Sequence, residues 1–312
     1  MDEDRKKKLQ EMVAGGKMSE DMFNEIMSRW EENGSEKEER HDEKAQEESK
    51  TERSKKIRIS GSGMIQSVYA EETSVSGSLT VDGSIDSIFF HVSGSCRVEK
   101  DVISSDTIHS SGSMHIGGNV RGNKIESSGS LQIAGNMDAS ELESSGSISA
   151  ESVICDEFES SGSAKISKLL RAKNIENSGK TKAESIECTV LKSSGLVEVR
   201  TVTGDEIYIS GRINADSIRS RRFEMKIYNS TSHVAKLQSD IVEISLQKKR
   251  FLSGEAKIDE IICNRAFLES TNSKYVKGDD IIIEAGCNID YVEAKSLKIS
   301  DEAKVKEKKI IS

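Results

Sequence analysis

Proline is absent from all 312 residues, tryptophan occurs once, and aromatic side chains make up only 4 %. Apolar residues reach 34 %, below the ~45–50 % usual when glycine is counted. That excludes a thick layered core with aromatic anchors and leaves a thin core shared over many short strands. No run approaches the ~18 apolar residues of a membrane helix, and the opening Met1–Lys8 has no apolar stretch behind it, so no secretory leader is expected. The cysteines Cys96, Cys155, Cys188, Cys263 and Cys287 are odd in number, scattered and without a CxxC pair. This excludes a disulfide framework and points to a reducing cytosol. With 45 basic against 54 acidic side chains and a net charge of -9, the chain is not expected to coat nucleic acid or anionic lipid. A soluble, cytoplasmic protein with only local basic spots is predicted.

What the chain does have is periodicity. Glycines preceded by serine fall at Gly61, Gly77, Gly94, Gly112, Gly129, Gly146, Gly162, Gly179, Gly195 and Gly211, at spacings of 16 to 18 residues. Apolar residues keep step with them. Two and four places after most of these glycines stand apolar or small pairs such as Leu79/Val81, Leu131/Ile133 and Val197/Val199. A second group follows with Ile85, Val102, Val120, Leu170/Ala172 and Ile218, and four places before the next glycine stands Phe90, Ile108, Ile125, Leu142, Phe158 or Ile175.

Alternation at period two specifies strands, whereas a helix would need apolar residues three and four apart. Three short strands joined by Ser/Gly/Asn/Asp corners make a coil of about 17 residues, one turn of a parallel β-helix. The glycine marks a corner that requires positive φ or close approach of one coil to the next. The predicted fold is therefore all-β, a single-stranded parallel β-helix solenoid over 57–312. It is regular to about Phe223 and less regular after, with Ser220–Lys249 as the irregular stretch or insertion. Before it, residues 1–30 read as a short helical hairpin. Leu9, Met12 and Val13 form one apolar stripe, Gly15-Gly16 break it, and Phe23, Ile26, Met27 and Trp30 form another. Residues 31–56 are almost wholly polar and charged and read as a flexible linker.

The stacked coils of about 17 residues with small aliphatic inward positions resemble the bactofilins, polymer-forming cytoskeletal proteins of bacteria and archaea. The stretch Val276–Ala294 is similar to the closing segment of longer members. The resemblance implies a right-handed β-helix that assembles end to end without nucleotide, in cell shape or envelope organisation. It also implies a homopolymer whose further partners are membrane- or envelope-associated proteins. The hairpin, with its turn at Gly15–Phe23, resembles SHOCT-like helical hairpins that promote oligomerisation. Such hairpins also precede adhesin-like β-helical proteins, which supplies the alternative: a non-polymerising module that binds a partner protein or an envelope polymer. The chain departs from typical bactofilins in being longer, in carrying the hairpin and in lacking their proline-containing tails.

Chemistry is not expected. His41, His91, His109, His115 and His233 have neither metal nor triad spacing, and no nucleophile elbow, P-loop or GxGxxG occurs. Cys96, Cys155 and Cys188 fall on inward positions, where a free thiol behaves as a small hydrophobe. One Trp and five Tyr are too few for the sugar platforms of β-helical polysaccharide enzymes. Gly117-Gly118-Asn119-Val120-Arg121-Gly122 lacks the Asp ligands of a calcium-binding roll and reads as a tight corner. No catalytic, cofactor or metal residues are assigned. A β-helix has two open ends with unpaired backbone groups. Ile57, Ile59, Val305 and Ile310 are the candidate end-stacking contacts, with the charged run Lys306–Lys309 available to blunt the second end. Leu9, Val13, Phe23, Ile26 and Trp30 are the candidate interaction face of the hairpin.

Overall fold

The computed structural model describes residues 53–247 and 254–311. The chain divides into two compact units, Met1–Thr51 and Glu52–Ser312. The hairpin, its face of Leu9, Val13, Phe23, Ile26 and Trp30, and nearly all of the linker lie outside the described residues.

The second unit is a parallel β-solenoid of about 15 coils with ~17 residues in each, with 23 strands in one continuous sheet among the described residues. Residues 130–144 show how a coil forms. Strand Ser130–Ile133 makes the first side, with Leu131 and Ile133 buried. After a corner, strand Met137–Ser144 makes the second and third sides. Met137 and Ala139 point inward on the second side, and Leu142 and Ser144 on the third. The next coil repeats this: Met137 pairs with Val153, Leu142 with Phe158 and Ser144 with Ser160, all in parallel register. Every coil thus contributes to six inward columns, and successive members of a column stand about 4.8 Å apart. From Lys180 onward the corners tighten enough that single strands such as Lys180–Ser193 and Leu196–Ile209 run across all three sides.

The columns divide the labour of packing. The fifth carries the largest groups, Phe90, Phe158 and Phe223 among them, each fully buried. The fourth, beside it at the bend, carries small residues: Ala70, Ser87, Gly122, Ala139, Cys155 and Gly204. A β-carbon on Gly122 would press on Ile125 Cγ1 at 3.2 Å, and one on Gly204 would meet Cys188 Sγ at 2.9 Å. Small beside large fills the narrow interior, and each buried Leu, Ile or Phe stabilises the coil by about 1.5–3 kcal/mol. Between coils, exposed corners carry ion pairs one coil apart, such as Lys173–Asp156 at 2.8 Å and Arg221–Asp205 at 3.0 Å.

Two expectations about extent change. The first strand is Ser54–Ile59, so the solenoid begins inside the stretch assigned to the linker, because Ser54 already pairs with Ala70. The stretch Ser220–Lys249 is not irregular up to Leu246. Strands Arg212–Ile227 and Thr231–Leu246 pair in register, Phe223 with Val242 and Met225 with Ile244. The serine–glycine mark fades there while the alternation that builds strands continues. Extra length falls at the corner between Ile227 and Thr231, and Lys248 and Lys249 lie outside the described residues.

Candidate functional site: the serine–glycine edge and the two ends

The corner between the third and first sides stacks its glycines into a ladder. A β-carbon on Gly77, Gly94, Gly112, Gly129, Gly146, Gly162, Gly179, Gly195 or Gly211 would overlap the carbonyl oxygen of the glycine one coil earlier. None of these residues has positive φ; among the described residues only Ser270 and Gly286 do. Close approach, not backbone conformation, therefore imposes glycine at this corner. The reason is visible in the hydrogen bonds. Ser145 N and Gly146 N both donate to Ser127 O, at 2.9 and 3.2 Å, and Ser147 N donates to Gly129 O at 2.9 Å, which draws the corners together.

The opposite corner uses a different device in its early coils. Asp101 Oδ1 accepts from Asn119 N at 2.6 Å, and Asn119 Oδ1 accepts from Asn136 N at 2.9 Å. Gly118 and Gly135 leave room for these side chains. Of the run Gly117–Gly122, expected to be a corner throughout, only Gly117–Asn119 form one, and Val120–Gly122 open the strand Val120–Ser127; among the described residues no group of three His, Cys, Asp or Glu side chains is placed to hold a metal ion.

Just inside the serine–glycine edge runs a file that sequence reasoning missed. Ser110, Ser127, Ser144 and Ser160 occupy the sixth column, are buried, and have hydroxyls without a hydrogen-bond partner among the described residues. The file continues with Asn177, whose Nδ2 donates to Ser193 Oγ at 2.9 Å and whose Oδ1 accepts from Thr181 Oγ1 at 3.0 Å. Aliphatic groups replace it on both sides, Val75 and Val92 before and Ile209 and Met225 after. The signal was present: each of these serines stands two places before a corner glycine and two after an inward Ile, Leu or Phe.

On the outside of the third side, one row bears Glu126, Glu143, Glu159 and Glu176 in successive coils. Lys124 Nζ sits 2.7 Å from Glu143, 3.1 Å from Glu126 and 3.3 Å from Glu141. Glu126 is held below the usual carboxylate range by His109 Nδ1, 3.0 Å away, and then by Lys124. Glu143 is held down chiefly by Lys124. Four of the five thiols, Cys96, Cys155, Cys188 and Cys263, are pushed up to about 12 by burial, and Cys287 to about 11 by the same cause.

The ends differ from each other. At the first, Ile57, Ile59 and Ile65 are partly buried against the core, while Met64 is 69 % exposed. Among the described residues no atom of a non-adjacent residue lies within 4 Å of where the β-carbons of Gly61 and Gly63 would be. At the second, Leu297, Ile299, Ala303 and Val305 are partly buried against the core and Ile310 is 61 % exposed. Lys308 stands in register with Val292, in the third column, whose members from Val68 to Val292 are all buried and apolar. The expected contacts Ile57, Ile59, Val305 and Ile310 thus lie at the two ends, and Gly63, Ile65, Leu297, Ile299 and Lys308 join them there.

No family model, no curated protein and no solved structure matches the chain. Among the described residues no helix is long and apolar enough to cross a membrane.

Proposed function

We propose that the protein is a non-enzymatic, polymer-forming scaffold of the bactofilin type, assembled by end-to-end stacking of its solenoid. The observation that carries this reading is the glycine at position 61. Each later glycine of the ladder makes room for the coil before it, but Gly61 and Gly63 have no such neighbour among the described residues. A glycine costs roughly 0.5–1 kcal/mol of conformational entropy in a strand or helix relative to alanine, and here a second copy supplies the close approach that makes it necessary.

The end faces match in four of the six columns. Leu297 and Ile57 belong to the fifth column, Ile299 and Ile59 to the sixth, Ala303 and Gly63 to the first, Val305 and Ile65 to the second. Stacking one copy's second end beneath the next copy's first end continues four apolar columns without a break. It is a heterologous contact that does not close, and so yields a filament. Ile59→Lys places a charge in the junction while leaving the body of the rod intact. Negative-stain microscopy should show filaments from the native protein and none from the variant, with the β-sheet circular dichroism of both alike. Filaments unchanged in the variant would overturn end-to-end stacking.

A second reading, a non-polymerising module that binds a partner protein or an envelope polymer, is favoured by one surface feature. A concavity of about 440 Å³ beside the serine–glycine edge is lined by Glu176, Lys192, Tyr208 and Glu224 together with Ser178, Ser194 and Ser210. Discrete short rods in the micrographs would favour it.

A further inference from the structure

The second end of the rod combines an apolar face with an unusual concentration of cations. The last strand, Lys304–Ile310, holds four lysines and one glutamate. Lys306 pairs with Asp290 at 2.7 Å and Lys309 lies 3.8 Å from Glu293. Lys298, Lys304 and Lys308 make no ion pair among the described residues. Lys308 matters most, because it occupies a column that is apolar throughout the rest of the rod. An inward-pointing charge on a terminal strand is a device against edge pairing. Covering that ammonium with another coil is strongly unfavourable unless a counter-charge arrives with it.

The chain carries such a counter-charge at the place where the junction forms. Residues 31–52 contain ten acidic side chains against four basic ones, and they lead directly into Arg53 and the first strand at the opposite end of the rod. Ser54 and Ile310 fall in the same column, the fourth, since Ser54 pairs with Ala70 and Ile310 with Ala294. When two copies stack, these two residues compete for one position. If Ser54 yields, the acidic stretch before it comes to lie beside Ile310, and therefore beside Lys308.

We infer that residues 31–52 of one copy dock on the lysine collar of a second copy, Lys298, Lys304 and Lys308, and neutralise it, making the filament junction polar and charge-gated. This rests on the end-stacking reading. A copy's own collar is the poorer target. It lies roughly 70 Å away along about 15 coils at ~4.8 Å, and 22 residues span about 75 Å only when drawn taut.

Sedimentation of full-length protein, with microscopy of the pellets, tests this using four chains. They are the native chain, Lys308→Val, a variant with Glu36, Glu38, Glu39, Glu43, Glu47 and Glu48 each replaced by Gln, and that variant with Lys308→Val added. At about 50 mM salt, where charges act at longer range, the Gln variant should need a concentration about tenfold higher to assemble, equivalent to about 1.4 kcal/mol. Adding Lys308→Val should restore assembly to within about threefold of native. Native assembly should weaken on raising salt to about 0.5 M. A Gln variant that assembles like the native chain overturns the inference and leaves end stacking in place. Loss without rescue by Lys308→Val also overturns it, since the acids then act elsewhere. Assembly that improves in the Gln variant overturns it in favour of a segment that covers its own copy's end. If neither native nor Lys308→Val chains assemble at any salt while the β-sheet spectrum is intact, it is the end-stacking reading that fails.

Discussion

The carbonyl oxygen of Gly129 occupies the space that a β-carbon on Gly146 would need. The same overlap recurs at each glycine of the ladder from Gly77 to Gly211 and, among the described residues, has no counterpart at Gly61. One substitution made at two places in the ladder therefore tests the fold and the proposed assembly separately.

Gly146→Ala should be among the most damaging changes in the rod. Its methyl group cannot be accommodated without parting two coils at a corner where three backbone hydrogen bonds converge. A loss of about 4 kcal/mol or more is expected from overpacking and broken backbone pairing, read as a large fall in the thermal midpoint. Gly61→Ala should melt like the native protein, since among the described residues nothing beyond the adjacent ones lies within 4 Å of the new methyl group, yet fail to form filaments. Equal melting losses at both positions would mean that the corner, and not the approach of a neighbouring coil, demands glycine.

The buried serine file predicts a gain. Ser127 and Ser144 place hydroxyls in the core with no partner among the described residues, while Val92 fills the same column three coils before Ser144. Ser127→Val or Ser144→Val removes an unsatisfied polar group and adds apolar volume, and should stabilise by about 1 kcal/mol. Denaturant titration reads this as a higher midpoint at constant slope. A lower midpoint would show that the hydroxyls are satisfied in solution.

The Lys124 cluster predicts a pH dependence. Glu126 and Glu143 titrate below their ordinary range in the folded chain, so their contribution to stability is complete above the unfolded carboxylate value of about 4.3. It is lost as pH falls through the lower folded values. Lys124→Met should melt below the native protein at pH 7, and the gap should close toward about pH 3. A gap independent of pH would assign the effect to packing of the lysine stem.

Thiol chemistry offers a check on the core itself. With Cys96, Cys155, Cys188 and Cys263 pushed up to about 12 and Cys287 to about 11, the thiolate is scarce at pH 8. Ellman's reagent should react slowly with all five in the native protein and rapidly in denaturant. A fast native phase would place at least one sulfur outside the packed core.

Much of the fold was legible because a solenoid repeats itself. The spacing of Gly61 to Gly211 predicted coils of about 17 residues, and alternation such as Leu131/Ile133 predicted which side chains face inward. Both follow from local backbone geometry, since the strand period of two acts within a few residues. That Ile57, Ile59 and Val305 lie in the terminal coils, partly buried against the core, could be read the same way. Less legible were the features that depend on how one coil sits on another. The stretch after Phe223 looked irregular because its glycine mark faded, although inter-coil pairing keeps it in register.

By itself the sequence determined the class of fold, the length of the coil and the identity of most inward columns, because these are set by periodic burial of apolar groups along one strand at a time. Only the tertiary structure decided why the corner residues are glycine, that four buried serine hydroxyls have no partner among the described residues, and that Lys308 stands in an apolar column. Those facts belong to residues some 17 positions apart, which meet only after the corners have fixed the register of the stack. The physical reason is that a corner can add or drop a residue without changing the strands beside it, so inter-coil alignment is settled by backbone hydrogen bonds and steric fit across the stack.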